Sequence, residues 1–147
     1  MSVDADRVLA FEVGGVAWAL PIADVREVVE IGELHAIPTL SRALASVTNH
    51  RGDAIPVVTP TALLDVSEDR LPAATQLLVI GGSGDEPGRL GLPVDRVLGL
   101  ARAPLGRRPT GVVRARGTLD GRMLRVLDAA RLLIAAEEAI TRAQERA

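Results

Sequence analysis

The sequence predicts a mainly all-β protein of short strands, with a few helical turns and one C-terminal α-helix. Three observations support this fold class. Apolar residues alternate with period two through most of the N-terminal two thirds of the chain. Glycine and proline interrupt these stretches repeatedly, which favours small barrels over a parallel sheet. Helical spacing is sustained only after Asp128, to about Gln144.

The N-terminal segment predicts a β-hairpin. Leu9, Phe11 and Val13 fall on one face of a strand, and residues 16–22 alternate in the same way. Gly14-Gly15 separates the two strands with residues that tolerate the positive φ of a tight two-residue turn.

Residues 24–30 predict a short helical turn, because three valines have the i, i+3, i+4 spacing of one helical face. These are Val25, Val28 and Val29. Residues 53–58 predict a strand at a sheet edge, because Pro56 has no N–H to donate to a neighbouring strand. Residues 61–64 predict another helical turn.

The second half of the chain predicts further strands and the closing helix. A polar linker over 67–74 joins two parts of the structure, and the glycine-rich loop 81–88 separates two strands. Asp128 is predicted to cap the N-terminus of the helix. The predicted strands are 76–80, 90–94, and a hairpin of 112–119 and 122–127 around Asp120-Gly121.

One short segment echoes another. Ala-Leu-Pro-Ile at residues 19–22 is followed by Asp24 and Val25, and Gly-Leu-Pro-Val at residues 91–94 is followed by Asp95 and Val97. Two similar β units in one chain would explain the echo, and chance is the alternative.

Composition sets limits on the function. The 147 residues suit one domain-sized unit, and 17 basic residues, all arginine, nearly balance 19 acidic ones. The chain has no cysteine for disulfides or thiolate chemistry. Its N-terminus lacks the pattern of a signal peptide, and no apolar run is long enough to enter a bilayer. We therefore expect a cytoplasmic protein with no direct membrane insertion.

Signatures of catalysis are missing from the sequence. His35 and His50 are the two histidines, and neither has a second ligand at metal-binding spacing. There is no Gly-x-Ser-x-Gly elbow, and the loop 81–88 lacks the Gly-Lys-Ser/Thr ending of a phosphate-binding loop. The sequence therefore predicts a binding protein rather than an enzyme, with no small-molecule substrate.

Four blocks of the sequence resemble the CheW-like family. Residues 46–58, SVTNHRGDAIPVV, are similar to the family's Gly-Val-x-Asn-Leu-Arg-Gly followed by a strand with Pro-Val-Val. Residues 11–28, 90–97 and 120–133 resemble three further blocks in family order, so the resemblance covers roughly 8–133. The departures are Ser46 for Gly, His50 for Leu, and Thr-Pro-Thr at 59–61 for Asp-Leu-Arg.

The resemblance implies two packed, five-stranded β-barrels in a domain over 7–133, followed by a C-terminal helix and tail over 134–147. It also implies an adaptor that couples the cytoplasmic tip of a methyl-accepting chemotaxis receptor to the regulatory domain of a CheA-type histidine kinase. Because the departures lie near the presumed receptor-facing region, the alternative is a divergent member that binds only the kinase or serves another signalling pathway. No cofactor is implied.

The same resemblance selects the candidate partner-binding residues. Arg51 is expected to pair with Glu27 and contact the receptor, although Arg51 could instead be a solvated turn residue. Glu27 could equally complete a capping-box-like turn begun by Asp24. Asn49 and Gly52 supply turn geometry. Val47 is expected in the core, with docking of a helix as the alternative, and His50 is expected to be a polar surface residue.

A nucleic-acid-binding barrel is the rival hypothesis. It is less favoured because the arginine-rich stretch holds no aromatic residue on which bases could stack. The seven arginines of this stretch are Arg102, Arg107, Arg108, Arg114, Arg116, Arg122 and Arg125.

Overall fold

The computed structural model describes residues 6–38, 40–41, 44–66, 74–82, 85–106 and 111–146. The described chain forms eleven strands, two short 3-10 helices at Ile22–Asp24 and Pro60–Ala62, and one α-helix. The strands are β1 (Asp6–Val13), β2 (Val16–Pro21), β3 (Val25–Glu30), β4 (His35–Ala36), β5 (Ala45–His50), β6 (Asp53–Val58), β7 (Gln76–Ile80), β8 (Leu90–Val94), β9 (Arg96–Ala103), β10 (Val113–Leu119) and β11 (Arg122–Leu127). The helix is α1 (Ala129–Arg146).

The strands form two sheets, which confirms the mainly β fold class. The first sheet has the order β10-β11-β2-β1-β9, and the second has the order β3-β7-β8-β6-β5-β4. The outer strands of the first sheet, β9 and β10, approach each other closely: a Cβ on Gly117 would lie 3.0 Å from the Ala103 Cβ. The first sheet therefore curls into a small barrel. We call the two sheets the first and second barrel; the second has six strands instead of the five that the resemblance implies, because the short β4 adds to its edge.

Both hairpins predicted from turn residues are present. Gly14 and Gly15 connect β1 to β2 with φ of 62° and 80°, and Asp120 and Gly121 connect β10 to β11 with φ of 49° and 81°. Positive φ at both central positions matches the twist of the flanking strands. The helical turn predicted at 61–64 occurs as the 3-10 helix at 60–62.

The predicted helical turn at 24–30 is wrong. Residues 25–30 form β3, which pairs antiparallel with β7, and only Ile22–Asp24 is helical. The valines here are β-branched, a class that packs well on a sheet and weakly favours helix, so strand pairing overrides the helical spacing. A capping box around Glu27 is excluded for the same reason.

The edge position predicted for residues 53–58 is also wrong. They form β6, which lies between β5 and β8 inside the second sheet. The proline is accommodated because pairing between β6 and β8 is limited to Val57 opposite Gly91. The predicted linker over 67–74 lies, except for its last residue, outside the described residues.

The two barrels share one topology and exchange a strand. In each sheet a central hairpin (β1–β2 or β7–β8) pairs through its second strand, in parallel, with another hairpin (β10–β11 or β5–β6). Its first strand pairs with the strand donated by the other half (β9 or β3). The echoing segments 19–25 and 91–97 are the equivalent crossovers from one barrel to the other. This equivalence explains the echo.

Three apolar clusters hold the fold together. The interior of the first barrel is rich in alanine: Val8, Ala10, Ala17, Ala19, Ala103, Leu124 and Val126. The interior of the second barrel is formed by Ile55, Val57, Leu77 and Val79. A larger shared core joins both sheets and α1, and includes Phe11, Trp18, Leu20, Leu78, Leu92 and Leu132.

The C-terminal helix begins where the sequence predicts. The Arg131 N–H donates to Asp128 Oδ2 at 3.0 Å, the contact of an N-terminal cap. Leu132 and Ala136 bury one side of α1 in the shared core. The predicted domain boundary at 133/134 falls inside this helix and stays a prediction. Among the described residues, no helix is long and apolar enough to cross a membrane.

Candidate functional site

The β5–β6 hairpin presents Arg51 at its tip. His50 is opposite Asp53, so Arg51 and Gly52 are the two central turn residues, with φ of 54° and 88°. The Gly52 N–H donates to Asn49 Oδ1 at 2.9 Å, which fixes the turn. Glycine adopts this backbone freely, but an arginine at positive φ is uncommon and carries strain. The hairpin therefore holds Arg51 in a defined but unfavourable conformation.

Glu27 on β3 binds the guanidinium across the second barrel. Arg51 Nη2 donates to Glu27 Oε1 at 3.0 Å and to Oε2 at 2.8 Å. The glutamate side chain is 26% exposed and the arginine side chain 69% exposed. The predicted pair therefore exists, and most of the arginine side chain remains open to solvent.

His50 lies beneath this pair, not on the surface as predicted. It is 8% exposed, and its Nε2–H donates to Glu27 Oε2 at 3.3 Å. Because side chains alternate along β5, Ser46, Thr48 and His50 all face the buried side of the strand. The hydrogen bond from His50 is the main cause that lowers the pKa of Glu27, with Arg51 adding to it against a smaller opposing effect of desolvation.

A groove of about 360 Å³ opens beside these three residues, between β3 and β5. Val29 and Leu77 supply apolar surface, and Glu30 and Glu33 add carboxylates. Thr48 Oγ1 donates to the Glu33 carbonyl at 3.0 Å, which ties the chain after β3 to β5. The groove therefore has a fixed shape on both sides.

Val47 and Asn49 lie on the face of β5 that is opposite to His50. Val47 is half-buried beside Pro56 on β6, and Asn49 is exposed. Ile55 and Val57 are buried as expected, whereas Val47 belongs to none of the three cores. The hairpin thus brings five of the six candidates together, and β3 contributes Glu27.

Several arginines of the basic stretch have structural partners. Arg122 Nη1 donates to Glu12 Oε2 at 2.9 Å, and Arg114 donates to Asp128 Oδ1 at 3.2 Å. Arg107 and Arg108 lie outside the described residues.

Asp95 does not cap the turn that follows its own strand. Its Oδ2 accepts a hydrogen bond from the Gly14 N–H at 2.8 Å and so fastens the β1–β2 turn. Burial raises the pKa of Asp95 despite this hydrogen bond. A sequence pattern cannot reveal this contact because the two residues are 81 positions apart.

Comparison with known proteins gives matches over most of the chain. Residues 7–137 match the family described as CheW-like domain. FrzA of Myxococcus xanthus is 35% identical over 95 residues, which span 65% of this chain and 58% of FrzA. The chemotaxis protein CheW of Thermotoga maritima is 28% identical over 134 residues, 83% of each chain.

A solved structure supports the same fold. The crystal structure of the scaffolding protein TtCheW from Thermoanaerobacter tengcongensis superposes with a TM-score of 0.67 over 84% of this chain and 88% of that one. The two sequences are 20% identical, so this likeness concerns the fold.

Proposed function

The chain belongs to the CheW-like domain family, and from that premise we propose that it is a non-catalytic adaptor in chemotaxis-type signal transduction. In this proposal it couples the cytoplasmic tip of a methyl-accepting receptor to the regulatory domain of a CheA-type histidine kinase. Its relatives include a protein named for chemotaxis and one described as scaffolding. Both proposed partners act in the cytoplasm, and the proposal places the chain there.

The observation that carries the proposal is the strained, solvent-facing Arg51. An exposed ion pair such as Arg51–Glu27 adds little stability, so the pair does not account for an arginine at positive φ. A binding role does, because Glu27 fixes the side chain while leaving hydrogen-bond donors free for a partner. Arg51 is therefore the proposed receptor contact, with Glu27 as its positioning residue.

The remaining candidates support that contact in different ways. Asn49 and Gly52 stabilise the turn through their hydrogen bond, and His50 donates a hydrogen bond to Glu27 from inside the barrel. Val47 offers half-buried apolar surface on the outer face of the hairpin, next to Pro56. In the proposal this surface contributes affinity and Arg51 contributes selectivity.

The mechanism is passive. Two barrels joined by a shared core form a rigid body, so a receptor held on one surface keeps a fixed orientation to a kinase held on another. No group of three or more ionisable ligand side chains that could hold a metal occurs within the described part of the chain. The adaptor transmits a change of position and performs no reaction.

Separate binding measurements test this function. The purified chain is titrated with a receptor-tip fragment and, independently, with the kinase regulatory domain, and each affinity is measured by calorimetry. We expect binding to both. Binding to neither would sink the adaptor proposal, and binding to the kinase alone would restrict it to a divergent adaptor whose receptor contact is lost.

Two substitutions test the assigned residues. Arg51→Ala should leave the circular dichroism spectrum and melting curve unchanged and weaken receptor binding by about tenfold, whereas kinase binding should hold. Glu27→Gln should weaken receptor binding less, because the arginine remains but is no longer fixed. Arg7→Ala, at an exposed position near the start of β1 in the first barrel, is the control. Marked unfolding of Arg51→Ala would instead identify a structural residue.

A further inference from the structure

A second groove lies at the border of the two barrels, away from the Arg51 hairpin. It has a volume of about 300 Å³. Leu63 and Leu64, which follow β6, form one apolar wall, and Val112 and Val113 at the start of β10 form another. The groove is therefore shaped by residues of both barrels.

A row of side chains crosses the first barrel and ends in this groove. Phe11 is opposite Trp18, Trp18 is beside Arg125, and Arg125 is opposite Arg116. Phe11 and Trp18 belong to the shared core, so the row starts in the apolar interior and ends in two arginines. Like charges directly opposite each other on paired strands repel, and a ligand carboxylate between them would relieve that repulsion.

The two arginines lack a carboxylate partner among the residues that the structure describes. The guanidinium of Arg125 lies over the Trp18 ring, 5.5 Å from its centroid, and Arg116 is exposed. Asp65 also lines the groove but forms no ion pair with either. Among the described residues, the groove thus carries two arginines outside any ion pair, beside an apolar surface.

Trp18 adds a second unmet contact. The residue is 2% exposed, and its indole Nε1–H has no acceptor within the described part of the chain. A buried donor without an acceptor is rare in a folded protein and asks for an explanation. Trp18 also lines the groove beneath the Arg125 guanidinium, so its emission is placed to report a ligand bound there.

We propose that this groove binds an acidic segment of a protein partner. Carboxylates of that segment would meet Arg116 and Arg125, and its apolar side chains would lie between Leu63 and Val112. The apolar walls favour a peptide over a nucleic acid, whose phosphates gain nothing from apolar contacts. The site goes beyond the proposed receptor contact at Arg51, and either can fail without the other.

Two synthetic peptides and the single tryptophan provide the test. One peptide has leucine and glutamate at amphipathic helical spacing, and the other has lysine in place of each glutamate. The chain holds one Trp and no Tyr, so its emission reports Trp18 alone. We expect the glutamate peptide to bind, to shift the Trp18 emission, and to bind more weakly as salt rises, and the lysine peptide to do none of these.

A matched pair of arginines controls for general charge. Arg7 and Arg102 also lie directly opposite each other in the first barrel, but both are exposed and neither lines the groove. The double variant Arg116→Gln with Arg125→Gln should weaken binding of the glutamate peptide about tenfold, or about 1.4 kcal/mol. The double variant Arg7→Gln with Arg102→Gln should change the affinity for the same peptide less than about twofold.

Three results would overturn the proposal. Equal losses for the two double variants would mean that the peptide senses only net charge. Binding without any change in Trp18 emission would place the peptide elsewhere. Tight, salt-sensitive binding of a short single-stranded oligothymidylate that displaces the peptide and depends on Arg116 and Arg125 would assign the groove to nucleic acid instead.

Discussion

At the scale of single residues, the candidate site is the Glu27 carboxylate, which accepts hydrogen bonds from two neighbouring residues of one hairpin. Arg51 approaches Glu27 from the solvent side and His50 approaches it from the barrel interior. The Glu27 side chain is therefore fixed from both sides and in turn fixes the guanidinium. This explains how a flexible arginine at a hairpin tip can have a defined position.

Asp24 gives a residue-level prediction about pH. Its carboxyl is half-buried, burial raises its pKa, and the nearby Asp128 raises it further, while Arg114 acts in the opposite direction. The folded state thus binds the proton more tightly than the unfolded state, so stability falls as pH rises from 3.8, the ordinary value, through the raised pKa. Asp24→Asn should stabilise the protein at neutral pH by about 0.5 kcal/mol.

Urea unfolding across pH checks this expectation. The advantage of Asp24→Asn should shrink as the pH falls toward and below 3.8, because the wild-type carboxyl is then protonated in both states. Asp120→Asn is the control, since asparagine suits the exposed left-handed turn position equally well. A destabilised Asp24→Asn at neutral pH would mean that its charge is favourable in the fold.

Residue-level interpretation of the sequence correctly predicted the Arg51–Glu27 pair and was wrong about the exposure of His50. The family-like segment located Arg51, Asn49 and Gly52, because a two-residue turn depends on local backbone preferences. The burial of His50 depends on Glu27, which is 23 positions away on another strand. Polarity alone predicts exposure, so the buried hydrogen bond could not be anticipated.

At the scale of elements, the sequence predicted the turns and the helix start correctly, because contacts within a few residues determine both. The glycine turns and the aspartate before α1 were recognisable because each is stabilised within a few residues. Strand β3 was missed and β6 was misplaced, because pairing with β7 and β8 is a tertiary contact. The same limit hid both grooves, whose walls come from distant segments.

Helix α1 gives an element-level prediction. Asp128 caps the helix through Oδ2, and its Oδ1 accepts a hydrogen bond from Arg114 at 3.2 Å. Asp128→Ala removes both contacts and should destabilise the protein by about 1–2 kcal/mol. Asp128→Asn keeps the cap and should destabilise the protein by less than half as much as Asp128→Ala. Chemical denaturation measures both, and equal losses would show that the charge pair with Arg114, not the cap, is the main contribution.

At the scale of the whole molecule, strand exchange makes the two barrels one unit. Each barrel contains a strand from the other half of the chain, and the shared core lies between them. Neither barrel can unfold without exposing the other's apolar face. We therefore expect a single cooperative transition.

Leu92 provides the test of that cooperativity. The side chain is fully buried in the shared core, so Leu92→Ala should cost about 2–5 kcal/mol. The loss should shift one calorimetric transition as a whole. Leu100→Ala, at an exposed position on β9, should change stability by less than about 0.5 kcal/mol. A Leu92→Ala thermogram that splits into two transitions would mean that the barrels fold independently.

An adaptor of this size must keep its partner surfaces apart. The Arg51 hairpin belongs to the second barrel, while the arginine-lined groove lies at the border with the first. Charge differs in the same way, because Glu27, Glu30 and Glu33 lie beside the hairpin and Arg116 and Arg125 lie in the groove. Complementary partners would therefore be steered to different places on one rigid body.

The most direct test of the adaptor account is sedimentation of the chain with a receptor-tip fragment and a kinase regulatory domain together. The account predicts one ternary complex that contains all three components, with the receptor fragment released by Arg51→Ala while the kinase domain stays bound. If excess receptor fragment displaces the kinase domain from the chain, the two partners compete for one surface, and the claim that this protein couples them is contradicted.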